Sequence, residues 1–424
     1  MTNKCDENLL ILDNKLNRKI FMAYTMNRKL SINVLVARYG GAHYASYNAL
    51  REIVKQQKLP WDLKITDVGD IVNRLTEEKQ FLNLYNLLGT SGDEFYNQIL
   101  KNDWTWIHPW LLRLNRILLK INYKTGVKFF TEYWRKQQPD LVISTLPLYN
   151  KGMWESLQQA KPGTPLVVIP ADLADTPPKF YIEPETGNYI VCASDKAVEQ
   201  ARALGVDENL IVPTSGLIVH PRFYEPVKCD RVFEKERLGL DPDCLTGLVL
   251  FGGYGSKSML KIAKRLESLH QKLQLIFICG RNEELAIKLN QLKGKQKKFV
   301  TTFTQDIRYY MHLSDFLIGK AGGSSVSEAM LMKLPIIVES NNNTLLNERH
   351  NIDWIQQKQV GLAIHSFQDI CNVVEQFIKP EVLARYQVNI SATNNRAVFE
   401  ISDFLQSLVA TTSFANISLA SREK

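Results

Sequence analysis

Three glycine-rich turns carry residues that suit a phosphate-binding site. In each, an apolar, strand-like run is followed by glycine and then by a helical pattern. Glycine lets backbone N–H groups approach a phosphate closely, and the positive end of the following helix favours an anion. One such turn is weak evidence, because tight strand-to-helix connections favour glycine anyway, but three together favour a phosphorylated ligand. The turns are Tyr39-Gly40-Gly41-Ala42-His43, Gly252-Gly253-Tyr254-Gly255-Ser256 and Lys320-Ala321-Gly322-Gly323-Ser324-Ser325.

The third turn is followed by a carboxylate, Glu328, that allows two interpretations. With Ser325 three residues before it, Glu328 completes the pattern of a capping box, in which it only returns a hydrogen bond to the start of the helix. A carboxylate one turn into such a helix can instead accept both hydroxyl groups of a ribose. The spacing alone favours the cap.

Two series of alternating strands and helices must position these turns. Such alternation predicts parallel, doubly wound sheets, so we predict an α/β fold with two Rossmann-like domains facing each other across a cleft. Folds of this kind bind ligands at the carboxyl ends of their strands. The predicted strands are Ile32–Ala37, Leu63–Thr66, Leu141–Thr145, Leu166–Pro170, Tyr189–Ala193, Ile211–Thr214, Leu248–Phe251, Leu275–Cys279, Lys298–Val300, Phe316–Ile318 and Pro335–Glu339.

The chain divides at a charged, proline-containing stretch, Pro221–Asp243, which is the predicted linker. Its 424 residues are too many for one ordinary core and suit two domains of about 200 residues each. The final helical pattern, Ala397–Leu408, is expected to pack back on the body. The predicted divisions are a polar leader at 1–30, a first domain at 31–225, a second domain at 226–411 and a flexible tail at 412–424.

The composition excludes several classes of protein. Hydrophobic residues make up 45% and charged residues 23% of the chain, which argues against a disordered or fibrous protein. No apolar run approaches the roughly 18–20 residues that span a bilayer, and the N-terminal MTNKCDENLL lacks the apolar core of a signal peptide. The six cysteines are scattered and no Asp-x-Asp motif is placed to carry a divalent ion, so we expect neither a metal nor another cofactor. These features predict a cytoplasmic location.

The net charge of +8 is concentrated in residues 101–136, which we call the basic aromatic segment. It holds eight Lys or Arg residues against two acidic ones, together with four Trp residues. Trp favours the bilayer interface and basic side chains attract anionic lipid, which predicts membrane binding through Trp104, Trp106, Trp110, Arg113 and Arg116. The alternative is a pair of amphipathic helices with aromatic side chains packed inward and a solvated basic face. No recognised nucleic-acid module accompanies the segment, so no nucleic-acid partner is expected.

Three runs of the second domain carry a family resemblance. They are Lys320-Ala-Gly-Gly-Ser-Ser-Val-Ser-Glu-Ala329, Leu334-Pro-Ile-Ile-Val338 and Asn347-Glu-Arg-His-Asn351. In this order they resemble the K-x-G-G-x-T-x-x-E-A, G-x-P-x-I and Q-E-x-x-N motifs of the monogalactosyldiacylglycerol synthases and the bacterial diacylglycerol glucosyltransferases. A looser version occurs in the N-acetylglucosaminyltransferase that glycosylates lipid I. The glycine turn at His43 and the run Ser215-Gly-Leu-Ile-Val-His-Pro-Arg-Phe223 extend the resemblance over roughly residues 31–375.

The resemblance implies the GT-B fold and a second domain that binds a UDP-sugar. Glu328 would then hold the ribose, which shifts its interpretation away from the cap. The pyrophosphate would be contacted by Ser324 and Ser325 in the third turn and covered by Gly252, Gly253 and Ser256 in the second. Phe303 would flank the uracil. The remaining donor-binding residues expected are Arg281, Gly322 and Gly323, with Asn347, Glu348 and Asn351 facing the transferred sugar.

The resemblance also implies the chemistry. His43 matches the histidine that is proposed in the family as general base toward the acceptor hydroxyl. Asp172, the second catalytic residue expected, lies where the family usually has V-V-T-D. The alternative for His43 is a residue at a helix start that only bonds to local backbone. The reaction would be an inverting, metal-free transfer of a hexose from a UDP-sugar to a lipid, with diacylglycerol the expected acceptor. It would take place on an anionic membrane surface, at the inner face of the plasma membrane.

Departures from the family pattern leave donor and acceptor open. Asn347 stands where the family has Gln, which shortens the side chain by a methylene and leaves glucose and galactose as alternatives. The loop after Asp172 lacks the family's H-P-x-x-W, which leaves the acceptor open. The other functions considered are transfer to a lipid-linked cell-wall precursor or a small molecule, and a UDP-N-acetylglucosamine epimerase-like protein that transfers nothing.

Overall fold

The structure, a computed structural model, describes residues 29–38, 41–77, 95, 98, 99 and 104–420, with side chains up to Thr411. The predicted leader at 1–30 therefore lies almost wholly outside the described residues, as does Gly40 of the first glycine turn. The described chain forms two six-stranded sheets whose strand pairs are parallel. The predicted α/β fold with two doubly wound domains is confirmed.

The first sheet consists of β1 Leu30–Val36, β2 Trp61–Asp67, β3 Leu141–Ser144, β4 Leu166–Val168, β5 Tyr189–Cys192 and β6 Ile211–Pro213. Its strand order is β2-β1-β3-β4-β5-β6. The sequence of β1, LSINVLV, is almost continuously apolar and nearly all of it is buried. This is typical of a parallel strand that helices cover on both faces.

The helices of the first domain are α1 Ala42–Gln56, α2 Val68–Glu77, α3 His108–Ile121, α4 Tyr123–Gln137, α5 Asn150–Ala160 and α6 Asp195–Ala203. Gly41, directly before α1, has a φ of 94°, which a residue with a side chain rarely adopts. It sets His43 in the first turn of α1. The Ser194 hydroxyl accepts the N–H of Ala197 and begins α6, as the sequence predicts.

The second sheet consists of β7 Leu245–Leu250, β8 Leu273–Ile278, β9 Lys298–Thr301, β10 Phe316–Gly319, β11 Ile336–Glu339 and β12 Gly361–Ile364. Its strand order is β12-β11-β10-β7-β8-β9. The sequence predicts the first five of these strands and misses β12. That strand lies at the sheet edge, and its central residues Leu362 and Ala363 are only partly buried, so it lacks a fully buried apolar run.

The helices of the second domain are α7 Arg231–Arg237, α8 Ser258–Leu266, α9 Glu283–Gln291, α10 Ile307–His312, α11 Gly323–Leu331, α12 Arg349–Gln357, α13 Ile370–Phe377 and α14 Pro380–Ala392. The short helix α7 lies within the predicted linker, where the Asp230 carboxylate accepts the N–H groups of Val232 and Phe233. The linker is therefore an ordered connection.

The last helix is α15 Ala397–Ala420. It continues through residues 412–420, which the sequence analysis assigned to the tail. The predicted divisions counted it with residues 226–411 and expected it to pack back on the body, and it packs on the first domain. Its apolar side chains at helical spacing, Val398, Ile401 and Leu405, share a core with Val34 of β1 and Leu50 of α1. The chain thus returns to the domain that contains its first described strand.

Among the described helices, none combines the length and the apolar character needed to cross a bilayer.

Candidate active site

A cavity of about 830 Å³ lies between the two domains. Its lining includes the segments that follow β1, β3 and β4 in the first sheet and β7, β9 and β10 in the second. This is where α/β sheets bind their ligands. The predicted site residues found in the lining are His43, Asp172, Gly252, Gly253, Phe303, Gly322, Gly323, Ser324, Ser325, Glu328, Asn347 and Glu348.

The third glycine turn forms the N-terminus of α11. The helix begins at Gly323, and its N-cap, Gly322, makes no side-chain capping bond. The predicted capping box is therefore wrong, because Ser325 already lies inside the first turn and is not the N-cap. A side chain at Gly323 would approach the Ala171 carbonyl to 2.4 Å, so glycine allows this helix end to pack against the first domain.

Glu328 lies one turn into α11 and lines the cavity. Burial raises the pKa of its carboxyl to about 7, and the positive charge of Arg222 opposes this rise. Arg222 belongs to the segment between the domains and also lines the cavity, where its guanidinium donates to the Gln305 carbonyl at 2.8 Å. Sequence analysis did not identify Arg222 as a site residue.

The second glycine turn lines the cavity with Gly252 and Gly253 only. Gly252 has a φ of 72°, in the left-handed region that glycine adopts without strain. Ser256 was predicted to close over the phosphates and is corrected here. Its side chain is buried outside the cavity lining, and its hydroxyl accepts the N–H of Ser258 at 3.0 Å, near the start of α8.

Phe303, expected to flank the uracil, and Arg281, expected among the donor-binding residues, lie next to each other but differ in their contacts. Phe303 lines the cavity and its side chain is 51% exposed, so a flat ring is available for stacking. Arg281 is not in the lining, which corrects its assignment as a direct donor contact. Its guanidinium instead lies 5.2 Å from the centre of the Phe303 ring and 5.9 Å from that of Tyr254. It supports the aromatic side chains through cation–π contacts.

Asp172 is the centre of a hydrogen-bond network between the domains. Its carboxylate accepts the hydroxyl of Tyr181 at 3.2 Å and the side-chain amide of Asn347 at 3.1 Å. Burial raises the pKa of Asp172 to about 7, while the hydrogen bonds from Asn347 and Asn351 oppose this rise. The carboxylate therefore binds groups of the second domain as well as lining the cavity.

Asn351 corrects the prediction that it faces the transferred sugar. The side chain is fully buried, and its amide nitrogen donates to the Ala321 carbonyl at 2.8 Å. Its amide oxygen accepts the N–H of Leu173 at 3.2 Å. Asn351 thus ties the loop after β4 to the third glycine turn.

Glu348 lines the cavity and pairs with Lys320, a residue to which the sequence analysis gave no role. The ammonium of Lys320 lies 2.8 Å from a carboxylate oxygen of Glu348. His108, at the start of α3, also lines the cavity, and the charges of Lys320 and Glu348 both act on it. The K-x-G-G motif contains Lys320 and could have identified it as a site residue. His108 lies in the basic aromatic segment, which was interpreted only for its charge and aromatic residues.

His43 is buried at the first-domain wall of the cavity. Burial lowers the pKa of its imidazole to about 4, although the Thr145 carbonyl and the charge of Asp67 both favour the protonated form. The ring is therefore neutral at physiological pH. Its Nδ1 atom has no hydrogen-bond partner among the described residues. A neutral imidazole beside a cavity suits a group that accepts a proton.

The basic aromatic segment is only partly a core element. Trp134 of α4 is fully buried and donates to the Ser156 hydroxyl, which fits the inward-packing alternative for that residue. In contrast, Trp104, Trp106 and Trp110 are 49%, 62% and 68% exposed. The inward-packing alternative therefore does not describe these three side chains.

The two predicted arginines of this segment also differ. The Arg113 guanidinium lies 5.2 Å from the centre of the Trp110 ring. That of Arg116 donates to the Pro178 carbonyl at 2.8 Å in a hydrogen bond at the surface, which joins α3 to a loop of its own domain.

The described cysteines are free thiols. Burial raises the pKa of Cys192 and of Cys279 to about 12, so both stay protonated in the core, in line with the sequence. In the part of the chain that the structure describes, no three His, Cys, Asp or Glu side chains are grouped to hold a metal ion.

Two family descriptions match the chain in succession. Residues 43–219 match "Monogalactosyldiacylglycerol (MGDG) synthase", and residues 248–360 match "Glycosyltransferase family 28 C-terminal domain". Monogalactosyldiacylglycerol synthase 1, chloroplastic, of Arabidopsis thaliana is 26% identical over 407 residues, which are 90% of this chain and 72% of the relative.

Solved structures share the fold over most of the chain. MurG of Acinetobacter baumannii superimposes with a TM-score of 0.55 at 12% identity, covering 89% of this chain and 99% of that one. A putative UDP-N-acetylglucosamine 2-epimerase of Listeria monocytogenes gives a TM-score of 0.51 at 13% identity, covering 93% and 98%. The fold alone is thus compatible with both transferases and epimerases.

The family matches decide between these classes, because they extend over both domains and fall on the glycine turns that line the cavity. The chain carries a region that matches the monogalactosyldiacylglycerol synthases, followed by a glycosyltransferase family 28 C-terminal domain, and it is a glycosyltransferase of the hexosyltransferase class with the GT-B fold.

Proposed function

We propose that this enzyme transfers a hexose from a UDP-sugar to diacylglycerol on a membrane surface, with inversion and without a metal ion. The observation that carries the proposal is the shared cavity, in which Glu328 and the glycine turns of the second domain face His43 of the first. Such an arrangement brings a phosphorylated donor and an acceptor hydroxyl together at a neutral base.

The second-domain wall suits a nucleoside diphosphate. The N-terminus of α11 and the turn at Gly252 offer backbone N–H groups to a pyrophosphate, and Ser324 and Ser325 add hydroxyls. The Glu328 carboxylate can accept two ribose hydroxyls. The half-exposed ring of Phe303 offers a stacking surface for the base. Together these groups match the three parts of UDP.

The first-domain wall suits a lipid. Apolar side chains of α3 and of the loops after β3 and β4 line the first-domain part of the cavity. They are Leu111, Leu112, Leu118, Leu119, Leu148 and Phe180. Each acyl CH₂ group buried here is favourable by about 0.8 kcal/mol. The curated relatives are named as monogalactosyldiacylglycerol synthases, which supports a diacylglycerol acceptor.

Helix α3 has a second apolar face that points to solvent. Trp110, Ile117 and Ile121 are more than half exposed, and their spacing places them along one side of the helix. The opposite side contributes leucines to the cavity. A helix that is apolar toward both the cavity and the outside fits a position at the membrane surface, where lipid enters the cavity. We place this surface on the cytoplasmic side of the plasma membrane.

The proposed reaction is a displacement at the anomeric carbon. The oxygen of the acceptor hydroxyl forms a bond to this carbon while the bond to the diphosphate oxygen breaks and its electron pair leaves with UDP. His43 takes the hydroxyl proton, because it is neutral, lines the cavity and has an Nδ1 atom without a hydrogen-bond partner among the described residues. Attack opposite to the leaving group inverts the configuration.

The membrane proposal predicts the behaviour of a triple variant, Trp104→Ser, Trp106→Ser and Trp110→Ser. Vesicle binding and activity on diacylglycerol should fall together, while UDP affinity and the melting temperature stay close to those of the wild type, because the side chains are exposed. Wild-type binding should rise with anionic lipid and fall with salt, since surface charges are screened over about 8–10 Å at physiological ionic strength. Co-sedimentation and thermal melting on the same variant measure both effects.

The matched control is Phe233→Ser, which removes an exposed aromatic ring from α7. It should leave vesicle binding unchanged. A large drop in the melting temperature of the triple variant, with unchanged vesicle binding of the folded fraction, would contradict the membrane proposal.

Product analysis tests the proposed function as a whole. The enzyme is incubated with vesicles that contain diacylglycerol and with UDP-glucose or UDP-galactose, in the presence and absence of a chelator. We expect a monohexosyl diacylglycerol with a β-glycosidic linkage, formed at the same rate in both conditions. If the enzyme converts the donor into an isomer and forms no lipid product, this would indicate an epimerase. Product formed only with a lipid-linked cell-wall precursor would indicate the other acceptor class.

A further inference from the structure

Lys320 lies between the two glycine turns that face the donor. A side chain built at Gly252 would meet the Cε atom of Lys320 at 3.4 Å, and one built at Gly322 would meet the same atom at 3.5 Å. Both glycines and Lys320 line the cavity. The lysine side chain therefore occupies the space between the turns that suit a pyrophosphate.

In the structure this ammonium is held by Glu348 at 2.8 Å. The Lys320 side chain is 29% exposed and that of Glu348 only 7%. A carboxylate this buried needs a cation beside it, because an unpaired buried charge is strongly unfavourable. The lysine, in contrast, keeps part of its side chain open to the cavity.

The other cations of the described cavity lining are engaged elsewhere. The Arg222 guanidinium donates to the Gln305 carbonyl, and its charge acts on Glu328. The Arg51 guanidinium lies over the Tyr47 ring at 5.7 Å. Among the described lining residues, Lys320 is thus the cation at the glycine turns.

We infer that Lys320 is a catalytic residue that binds the pyrophosphate of the donor and stabilises it as it leaves. The inference rests on the proposed function, since it requires a nucleoside diphosphate in the cavity. As the bond between the anomeric carbon and the diphosphate oxygen breaks, that oxygen takes the electron pair and gains negative charge. The ammonium adjacent to it balances this charge, as a divalent metal does in other transferases, and no proton needs to move.

Glu348 holds the lysine in place until the donor arrives. When the pyrophosphate binds, the Lys320 ammonium contacts both the pyrophosphate and the Glu348 carboxylate. The carboxylate is then partly free to contact the transferred sugar. UDP and Glu348 therefore compete for Lys320. This competition makes the inference testable with UDP alone, in the absence of any acceptor or membrane.

The first test is the Lys320→Gln variant of the full chain. We expect UDP affinity to fall on the order of 10- to 100-fold, the range for a lost charge-assisted hydrogen bond, while uridine affinity stays the same because uridine has no phosphate. Turnover should fall roughly 10²–10³-fold, as for other groups that stabilise a developing anion. The matched control is Lys358→Gln, an exposed lysine at the end of α12, which should leave both quantities unchanged.

A second comparison excludes the possibility that Lys320 only neutralises Glu348. UDP affinity is measured in Glu348→Gln and in the double variant Lys320→Gln/Glu348→Gln. If Lys320 binds the pyrophosphate, Glu348→Gln should bind UDP at least as tightly as the wild type, and the double variant about 10-fold or more weakly than Glu348→Gln. Equal affinities in these two variants would overturn the inference. Failure of the wild type itself to bind UDP would instead overturn the proposed function.

Discussion

Replacing His43 with Ala is expected to lower turnover by roughly 10²–10⁴-fold, the usual contribution of a general base. The imidazole is buried at the cavity wall and neutral at physiological pH, since its pKa is lowered to about 4. It is thus able to accept the proton of the acceptor hydroxyl. UDP affinity should change little, because His43 belongs to the wall opposite the donor turns. Steady-state turnover and calorimetric UDP binding on the same preparation measure the two effects.

The control for this prediction is His365→Ala, which removes an exposed imidazole of the second domain and should leave turnover unchanged. His108 provides a second comparison because it also lines the cavity. Near-normal turnover in His43→Ala, combined with a large loss in His108→Ala, would assign the base to His108. Near-normal turnover in both variants would remove histidine from the mechanism.

Replacing Glu328 with Gln is expected to weaken UDP binding by about 1–3 kcal/mol, the range for hydrogen bonds to a charged group. The raised pKa of this carboxyl, about 7, adds a pH dependence. Only the ionised form accepts both ribose hydroxyls, so wild-type UDP affinity should rise as the pH increases through about 7. The Gln variant should lack this rise. Calorimetry from pH 6 to pH 8 measures both effects.

A modified ligand provides the control for this prediction. The wild type should bind 2′-deoxy-UDP more weakly than UDP, whereas Glu328→Gln should bind the two ligands about equally. Unchanged UDP affinity in the variant, or an undiminished preference for the ribose, would show that Glu328 does not contact the sugar of the nucleotide.

The sequence predicts most of the fold because the strands are buried on both faces. Nearly continuous apolar runs such as Ile32–Ala37 and Leu275–Cys279 overlap observed strands, and the glycine turns lie where the strands end. The exceptions have physical causes. Strand β12 lies at the sheet edge and its two central residues are only partly buried, so it lacks the fully buried apolar run of the inner strands. The assignment of α15 to the first domain depends on a contact between distant parts of the chain, which local periodicity does not reveal.

The candidate site is predicted less completely, because motifs identify residues but not the partners that engage them. Ser256 and Asn351 belong to matching motifs, yet one bonds to a helix start and the other is buried between the domains. Arg222 was missed because the resemblance gives no role to its position in the run that ends at Phe223, and His108 because its segment was interpreted only for its charge and aromatic residues. Their positions in the cavity follow from how the two domains are packed together, which only the structure provides.

Release of UDP from a UDP-hexose, measured with and without diacylglycerol in vesicles, tests the central claim most directly. If the cavity between the domains holds donor and lipid together, UDP release should depend on diacylglycerol. It should also fall in His43→Ala in proportion to the lost glycolipid product. UDP release at the same rate without diacylglycerol would contradict the account. So would the absence of UDP release from both UDP-glucose and UDP-galactose when diacylglycerol is present.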